Sequence, residues 1–426
     1  MAFKPVTAVS WPIYVLTQAK LPPNDPLFHA FQVIDWHFIL PLTQPLYSDK
    51  GAEGYCPISM FKALLLIYLG EAASERDLAT KLKFDVRLQV LCGFDFLQTP
   101  SHAVFSQFRA RLGAELFYHI LHQLIAQAIA IGLIQKQVHT AVDATHIWAY
   151  SNKFGIKLCA CKGKCQCLRK YSDPDAQWGH KTKTYPFFGY KIHLIIDVQS
   201  QLPLEVIVTS GEVADNTQAI PLLENTQKQH PQLTLRSATM DSAYDDQTIY
   251  EHYAENEISP IIALNPRNTQ GKTQIGNDLV RDEKGTYYCA RTGLPLVKNG
   301  TEPKRKNRQK IVCFPTGCRK ACPFREECCA NSKVGKTFYL YPSKDLRLIG
   351  PIPRDSKQWK QLYAQRTAIE RTNSVLKSPK HHLDQPRLRG LNNIHIHAYL
   401  AVCALLVKEI GRYVPVSYTH LTLPTN

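Results

Sequence analysis

The chain has 426 residues, 44% of them apolar, with 51 Lys and Arg against 35 Asp and Glu, a formal charge of +16. An apolar share of that size can bury a core, which excludes wholesale disorder, and the length suggests two or three domains. The positive excess favours a polyanionic partner, with nucleic acid first among the candidates.

No membrane partner is expected. The longest apolar stretches are 116–134, interrupted by His119, His122, Gln123 and Gln127, and 400–407. Neither reaches the ~18 uninterrupted apolar residues of a spanning helix. Residues 1–20 lack the basic start, apolar run and cleavage site of a secretion signal, so a soluble cytoplasmic protein is expected. Thirteen cysteines suit no even disulfide framework, and reduced thiols in such a compartment point to metal ligands.

In chain order, residues 1–136 read as helical. Ile58, Phe61, Leu65 and Leu69 recur at helical spacing, as do Phe105, Phe108 and Leu112, then Leu116, Ile120 and Leu124. Ser74 to Asp77 fits a capping box, and Thr99-Pro100-Ser101 marks a break before the helix carrying Arg109 and Arg111. From Gln137 the pattern becomes strand-like: 138–148, then a hairpin of 187–198 and 204–209 across Gln199-Ser200-Gln201. A helix near 217–229, a strand 235–240, a helix near 245–256 and a strand 259–264 follow. Residues 265–350 are rich in Gly, Pro, Cys and basic side chains without sustained periodicity, and read as an insertion. Helices over 359–377 and 394–410 close the fold. The whole is an α/β chain, a mixed sheet with flanking helices, an N-terminal all-helical domain and a Cys-rich insertion.

Three acids fall where this order would gather carboxylates: Asp143 in the first strand, Asp241 at the end of the fourth, and Glu370 on the helix after the fifth. Ligands collect at strand ends beside a reversal of strand order. On a single helix at 100° per residue, Tyr363, Arg366, Glu370, Asn373 and Lys377 share an arc of about 80°. Ala364, Ala368, Ile369, Val375 and Leu376 occupy the other side. Gathered carboxylates repel one another unless cations neutralise them. Oxygen ligands of this kind suit Mg²⁺ or Mn²⁺ with substrate phosphates, and two such ions ~4 Å apart assist in-line displacement at phosphorus. Arg366 and Lys377 would offset phosphate charge, and Tyr363 would hydrogen-bond a phosphate or stack on a base. The plain alternative is a solvated polar helix face.

Tyr363-x2-Arg366-x3-Glu370-x6-Lys377 resembles the signature of bacterial insertion-sequence transposases of the DDE, RNase H-like class. The contexts Val142-Asp143-Ala144-Thr145-His146 and Met240-Asp241-Ser242-Ala243-Tyr244 are similar to the family's first and second acids. Phe188 to His193 resembles its second strand, and 55–112 its N-terminal helical domain. Ala144 stands where the family often has Gly or Ser. The resemblance covers roughly residues 25–411. It implies an RNase H-like core in two parts, 137–264 and 351–411, split by the insertion 265–350. Residues 1–136 would recognise DNA ends. It also implies two Mg²⁺ on Asp143, Asp241 and Glu370, nicking of element terminal inverted repeats, joining of 3′-hydroxyls to target DNA, and a homodimer on paired ends near the nucleoid.

Cys159, Cys161, Cys165 and Cys167 lie within nine residues and could close around one Zn²⁺, although their C-x-C steps are tighter than usual. A second zinc set is expected in the insertion: Cys318-x3-Cys322-x5-Cys328 with Cys289 or Cys313 upstream. Cys56, Cys92 and Cys403 read as core residues. The basic run Lys304, Arg305, Lys306, Arg308 and Lys310 is either a solvated loop or a phosphate contact. Residues 416–426, at the end of a tail from 412, resemble translated sequencing-adapter read-through and are set apart from the fold.

The charge is uneven. Residues 298–391 carry 22 basic and 7 acidic side chains, a net of +15, whereas 1–137 carry 11 and 10, a net of +1. Any DNA contact by the N-terminal helices therefore falls to a few residues such as Arg109 and Arg111. Transposition is the leading reading. A metal-dependent nuclease without joining activity and an inactive zinc-containing DNA-binding protein are the alternatives.

Overall fold

In the computed structural model, residues 25–48 and 53–415 are described, apart from 97, 163–164, 183, 266–271, 276, 283–285, 306–307, 314–321, 333–334, 342–345, 348–349, 355 and 385. Lys306, Cys318 and the segment 416–426 lie outside the described residues.

Among the described residues, six α-helices precede the first strand: α1 Pro26–Val33, α2 Ile39–Thr43, α3 Pro57–Tyr68, α4 Glu75–Phe84, α5 Val86–Cys92 and α6 His102–Ala130. Local chemistry sets their ends. Ser74 Oγ accepts the Asp77 N–H at 3.2 Å, and the Asp77 carboxylate accepts from Ala73 N, one residue earlier than in a standard capping box. Asp85 caps α5, and Gly93 ends it in the left-handed region at φ 79°. Gly113, at φ 65°, breaks α6, so its two apolar stripes belong to two helical stretches in different registers.

The main sheet comprises β1 Gln137–Trp148, β4 Gln177–Thr182, β5 Tyr185–Asp197, β6 Pro203–Ser210, β7 Thr234–Met240 and β8 Ser259–Ile262. The strand order is β4-β5-β1-β7-β8, and β6 also pairs with β5. β1 is antiparallel to β5 and parallel to β7, which is parallel to β8. Between β1 and β4 the chain forms a small arm with the pair β2 Ile156–Lys157 and β3 Arg169–Lys170. Gly189 on β5 sits against the Ile147 carbonyl, where a β-carbon would collide with backbone. The β5–β6 hairpin turns at Gln201, φ 59°, with the Asp197 carboxylate accepting from Gln199 N and Ser200 N. Helices α7 Ala219–Gln229 and α8 Gln247–Glu255 link β6 to β7 and β7 to β8.

The insertion holds more regular structure than its sequence suggested. Strands β9 Lys272–Ile275, β10 Leu279–Asp282, β11 Tyr287–Cys289, β12 Pro295–Glu302, β13 Arg308–Val312 and β14 Thr337–Leu340 form an antiparallel meander in chain order. Leu279, Tyr287, Leu296, Ile311 and Leu340 give it a small core of its own. The strands run three to eight residues between glycine-, proline- and lysine-rich turns, too short for an alternating pattern to register. A short helix, α9 Arg325–Cys329, carries two of its cysteines.

The helix expected over 359–377 is two helices, α10 Lys357–Ala364 and α11 Thr367–Leu376, joined through Gln365 and Arg366. The last helix, α12 Leu391–Tyr413, is long and apolar enough to cross a membrane by length and composition, but 78% of that window is buried inside the protein. It packs on α6, α1, α3 and β6. One continuous apolar core therefore runs from Ala30 through the sheet to Ile410, and the N-terminal helices are not a detached unit.

Candidate active site

Strand direction brings the first two acids to one edge. β1 and β7 run parallel, and Asp241 follows directly on Met240, the last residue of β7. Asp143 lies opposite Leu194 in the β1–β5 ladder. Asp241 caps the 3-10 turn Ser242–Tyr244, its Oδ1 accepting the Ala243 N–H at 2.8 Å.

These carboxyls are electrostatically strained. Burial pushes the Asp143 carboxyl up to about 7, and the charges of Asp241 and Asp215 push the same way against the Ala144 N–H and Arg366. Burial likewise raises Asp241, opposed by the Ala243 N–H and by Arg366. Arg366 is thus the shared cation. Its Nη2 donates to Glu370 Oε1 at 2.7 Å while its charge reaches both aspartates. Glu370 lies one turn along α11, with its side chain 52% exposed. Lys377 Nζ donates to the His146 carbonyl at 2.6 Å, which ties the end of α11 to β1 three residues past Asp143. Burial lowers the Lys377 ammonium, and burial with Lys377, Lys181 and Lys191 holds the His146 imidazole down at about 4.

The donor set suits a hard divalent cation: oxygen-only, acidic, half-buried and short of positive charge. The oxygens of Asp143, Asp241 and Glu370 do not close on one another as tightly as the cysteine ligands described next.

Cys159, Cys161, Cys165 and Cys167 bring all four sulfurs within 4.8 Å of one another, with Cys159 to Cys165 at 3.4 Å and Cys161 to Cys167 at 3.9 Å. A tetrahedral ion with metal–sulfur bonds of ~2.3 Å spaces its sulfurs by roughly 3.8 Å, so the set fits zinc. In the insertion, Cys289, Cys313, Cys322, Cys328 and Cys329 line one cavity of about 30 Å³ with Asp278, Phe324 and Lys336. Burial, then the thiols of Cys289, Cys329 and Cys322, push the Cys313 thiol up to about 11. Cys318, the remaining expected ligand of that set, lies outside the described residues. Cys56, Cys92 and Cys403 are buried in the core.

The expected DNA contacts divide. Lys304, Arg305 and Arg111 are exposed, and Arg111 also lies over the Tyr47 ring at 4.7 Å. Lys310 is half-buried on β13, and Lys306 lies outside the described residues. Two assignments are corrected. Arg109 is buried, paired with Glu75 and donating to Asn393, so it joins α6 to α4 and α12 and offers no surface to a phosphate. Arg308 is buried on β13, bonded to Glu302 at 2.6 Å and stacked 3.8 Å over Tyr339, a lock within the meander. Tyr363 is half-buried and stacks on Trp359 at 4.8 Å and 10° between planes. The helix break at Gln365–Arg366 means that the single-helix arc does not describe where Tyr363 points relative to Glu370.

Sequence reasoning missed Asp215 and its neighbours. This acid opens the 3-10 turn Asp215–Gln218 after β6, and its charge acts on both Asp143 and Asp241. The signal was available in principle. β6 is antiparallel to β5, which is antiparallel to β1, so β6 runs in the direction of β1 and β7 and delivers its following residues to the same edge.

A mixed sheet with flanking helices, with aspartates on one interior strand and directly after its parallel neighbour and a glutamate on a later helix, suits phosphoryl transfer at a bound divalent cation. The model of the Transposase DDE domain family matches residues 134–407, and that of the Transposase domain (DUF772) family matches residues 15–111. The chain belongs to the DDE-domain transposases. Among solved structures, it is similar to a piggyBac transposase synaptic complex with hairpin DNA, at 11% identity and a TM-score of 0.40, over 91% of this chain and 75% of that one. No curated protein matches the chain.

Proposed function

We propose that this transposase is the enzyme of a bacterial insertion sequence and that it cuts element ends and joins them to target DNA through Asp143, Asp241 and Glu370. The observation that carries the reading is the placement of Asp143 on β1 and Asp241 directly after the parallel β7, with Arg366, bonded to Glu370, acting on both. Such a site is costly when empty of cations and is relieved by a divalent ion and a phosphate. Mg²⁺ or Mn²⁺, when bound, would supply activation of the attacking hydroxyl and stabilisation of the leaving oxygen.

The chain's own groups set the rest. Asp143 is held within the β1–β5 ladder and Asp241 directly after β7, so their positions are pre-organised. Arg366 is placed to exchange Glu370 for a phosphate oxygen, freeing that carboxylate toward the site. Lys377 holds α11 to β1 and adds positive charge beside Asp143. Tyr363, with Trp359 stacked on it, offers a flat aromatic face near Arg366. Lys304, Arg305, Lys310 and Arg111 add phosphate contacts away from the chemistry. Zn²⁺ on Cys159, Cys161, Cys165 and Cys167 closes the arm after β1, and a second Zn²⁺ on Cys318, Cys322 and Cys328 with Cys289 or Cys313 staples the insertion. Terminal inverted repeats and target DNA are the partners, a homodimer on paired ends the working form, and the nucleoid of the cytoplasm the place.

The test uses purified protein, Mg²⁺, DNA bearing the element's terminal repeats and a target plasmid, with Asp143→Asn as control. Joined products absent from the control are expected. Cleavage without joining would favour a nuclease, and full activity in the control would overturn the assignment of the acids.

A further inference from the structure

Asp215 is held in place at the site. Lys191 Nζ donates to Asp215 Oδ1 at 2.7 Å and to the Val213 carbonyl at 2.8 Å, so one ammonium fixes both the carboxylate and the loop before it. Lys191 pairs opposite His146 in the β1–β5 ladder, which anchors Asp215 to the strand that carries Asp143. The turn Asp215–Gln218 packs on the turn Ser242–Tyr244 that follows Asp241, and Asn216 reaches Asp246 at 3.5 Å.

A second observation points into the same space. Tyr244 is 1% exposed, and its hydroxyl has no hydrogen-bond partner. Burial and then the charges of Asp143, Asp215 and Asp241 push that phenol well above its ordinary value, so the ring lies in the field of all three carboxylates. A buried hydroxyl left unpaired is destabilising. This one ends the turn that Asp241 caps, bonds none of the three acids whose charges act on it, and can bond something that enters the site.

We infer that Asp215 and Tyr244 form the outer shell of the divalent-cation site, Asp215 accepting from cation-bound water and Tyr244 donating its hydroxyl to a carboxylate or water ligand. Both are positioning residues. The inference rests on the reading of Asp143 and Asp241 as cation ligands. Outer-shell partners of this kind tune metal affinity by ~10–100-fold. Asparagine at 215 can still accept from Lys191 but carries no charge, and phenylalanine at 244 removes only the unpaired hydroxyl.

The experiment is Mn²⁺ titration of the full-length, DNA-free protein followed by electron paramagnetic resonance. Mn²⁺ is chosen because it prefers oxygen donors to the thiol clusters. Asp215→Asn and Tyr244→Phe should each weaken Mn²⁺ by about tenfold or more. Glu212→Gln, which removes an exposed acid from the same connection, should match the wild type. The metal-free melting temperature separates a positioning role from a folding one: Tyr244→Phe should leave it unchanged or raise it, because an unsatisfied group is removed. Wild-type affinity in both Asp215→Asn and Tyr244→Phe would overturn the inference, as would an equal loss in Glu212→Gln. If Asp215→Asn does not fold, Tyr244→Phe alone decides. Asp143→Asn keeps the two claims apart. Unchanged Mn²⁺ binding in that variant would defeat the ligand reading itself, whereas its loss with no effect at 215 and 244 would defeat only the outer shell.

Discussion

Asp143 shows how one residue carries the cost of function. Its carboxyl is raised to about 7 in the folded chain, from an ordinary value of 3.8. The native state therefore holds a proton that the unfolded state has released between those values, and the metal-free protein loses stability as pH climbs from about 4 to about 7. The loss is up to about 4 kcal/mol, at ~1.4 kcal/mol per unit. Asp143→Asn should thus raise the metal-free melting temperature at pH 8 and have little effect near pH 4. Thermal denaturation at the two pH values checks this, and an equal shift at both would mean that charge is not the cause. Arg366 works in the opposite sense: Arg366→Ala strips the shared cation from both aspartates and should abolish strand transfer. Arg308 and Arg109 are the contrasting case, since both spend their charge inside the protein. The chain sequence marks all of these arginines alike, and only their partners separate them.

At the scale of elements, the meander and the arm are small structures that rely on specific fastenings. Among the described residues, the core of the meander is five buried side chains, so the stacked and paired Arg308 matters. Arg308→Ala should destabilise the insertion through lost packing on Tyr339 and the loss of the Glu302 partner, seen as faster proteolysis within 265–350. It should leave the salt dependence of DNA binding as it was. Lys304→Gln with Arg305→Gln should do the reverse, lowering the slope of log affinity against log salt by up to about two for two lost phosphate contacts, with stability intact. The arm depends on its four sulfurs. Chelation of zinc should release 149–176 to proteolysis and weaken the start of α12, because Asp173 and Asp175 in that arm accept from Gly390 N and Leu391 N. Protein that holds no zinc by elemental analysis when purified without chelators would remove the basis of this prediction.

For the molecule as a whole, α12 joins the helical N-terminal region to the catalytic sheet in one core. Leu406, fully buried on that helix, should cost ~2–5 kcal/mol on change to alanine. Melting of the N-terminal helices and of the sheet should shift together, as followed by probes placed in each; separate transitions would show two cores. Most helices and strands in 55–264 were legible because they are long and periodic enough to show their buried faces, as in α3, β1 and β5, whereas the shorter α5, β2, β3 and β4 went unread. Strand order put Asp143 on β1 and Asp241 directly after β7, as found, whereas the single-helix arc used for Glu370 does not survive the break at Gln365–Arg366. The sequence by itself determined most of the element order in 55–264 and the clustering of thiols, since these depend on residue type and short-range spacing. The tertiary structure alone decided that Arg109 and Arg308 are buried and that the insertion is a sheet. Both depend on contacts between residues far apart in the chain, Arg109 with Asn393 and β13 with β14 among them, and no local pattern encodes them.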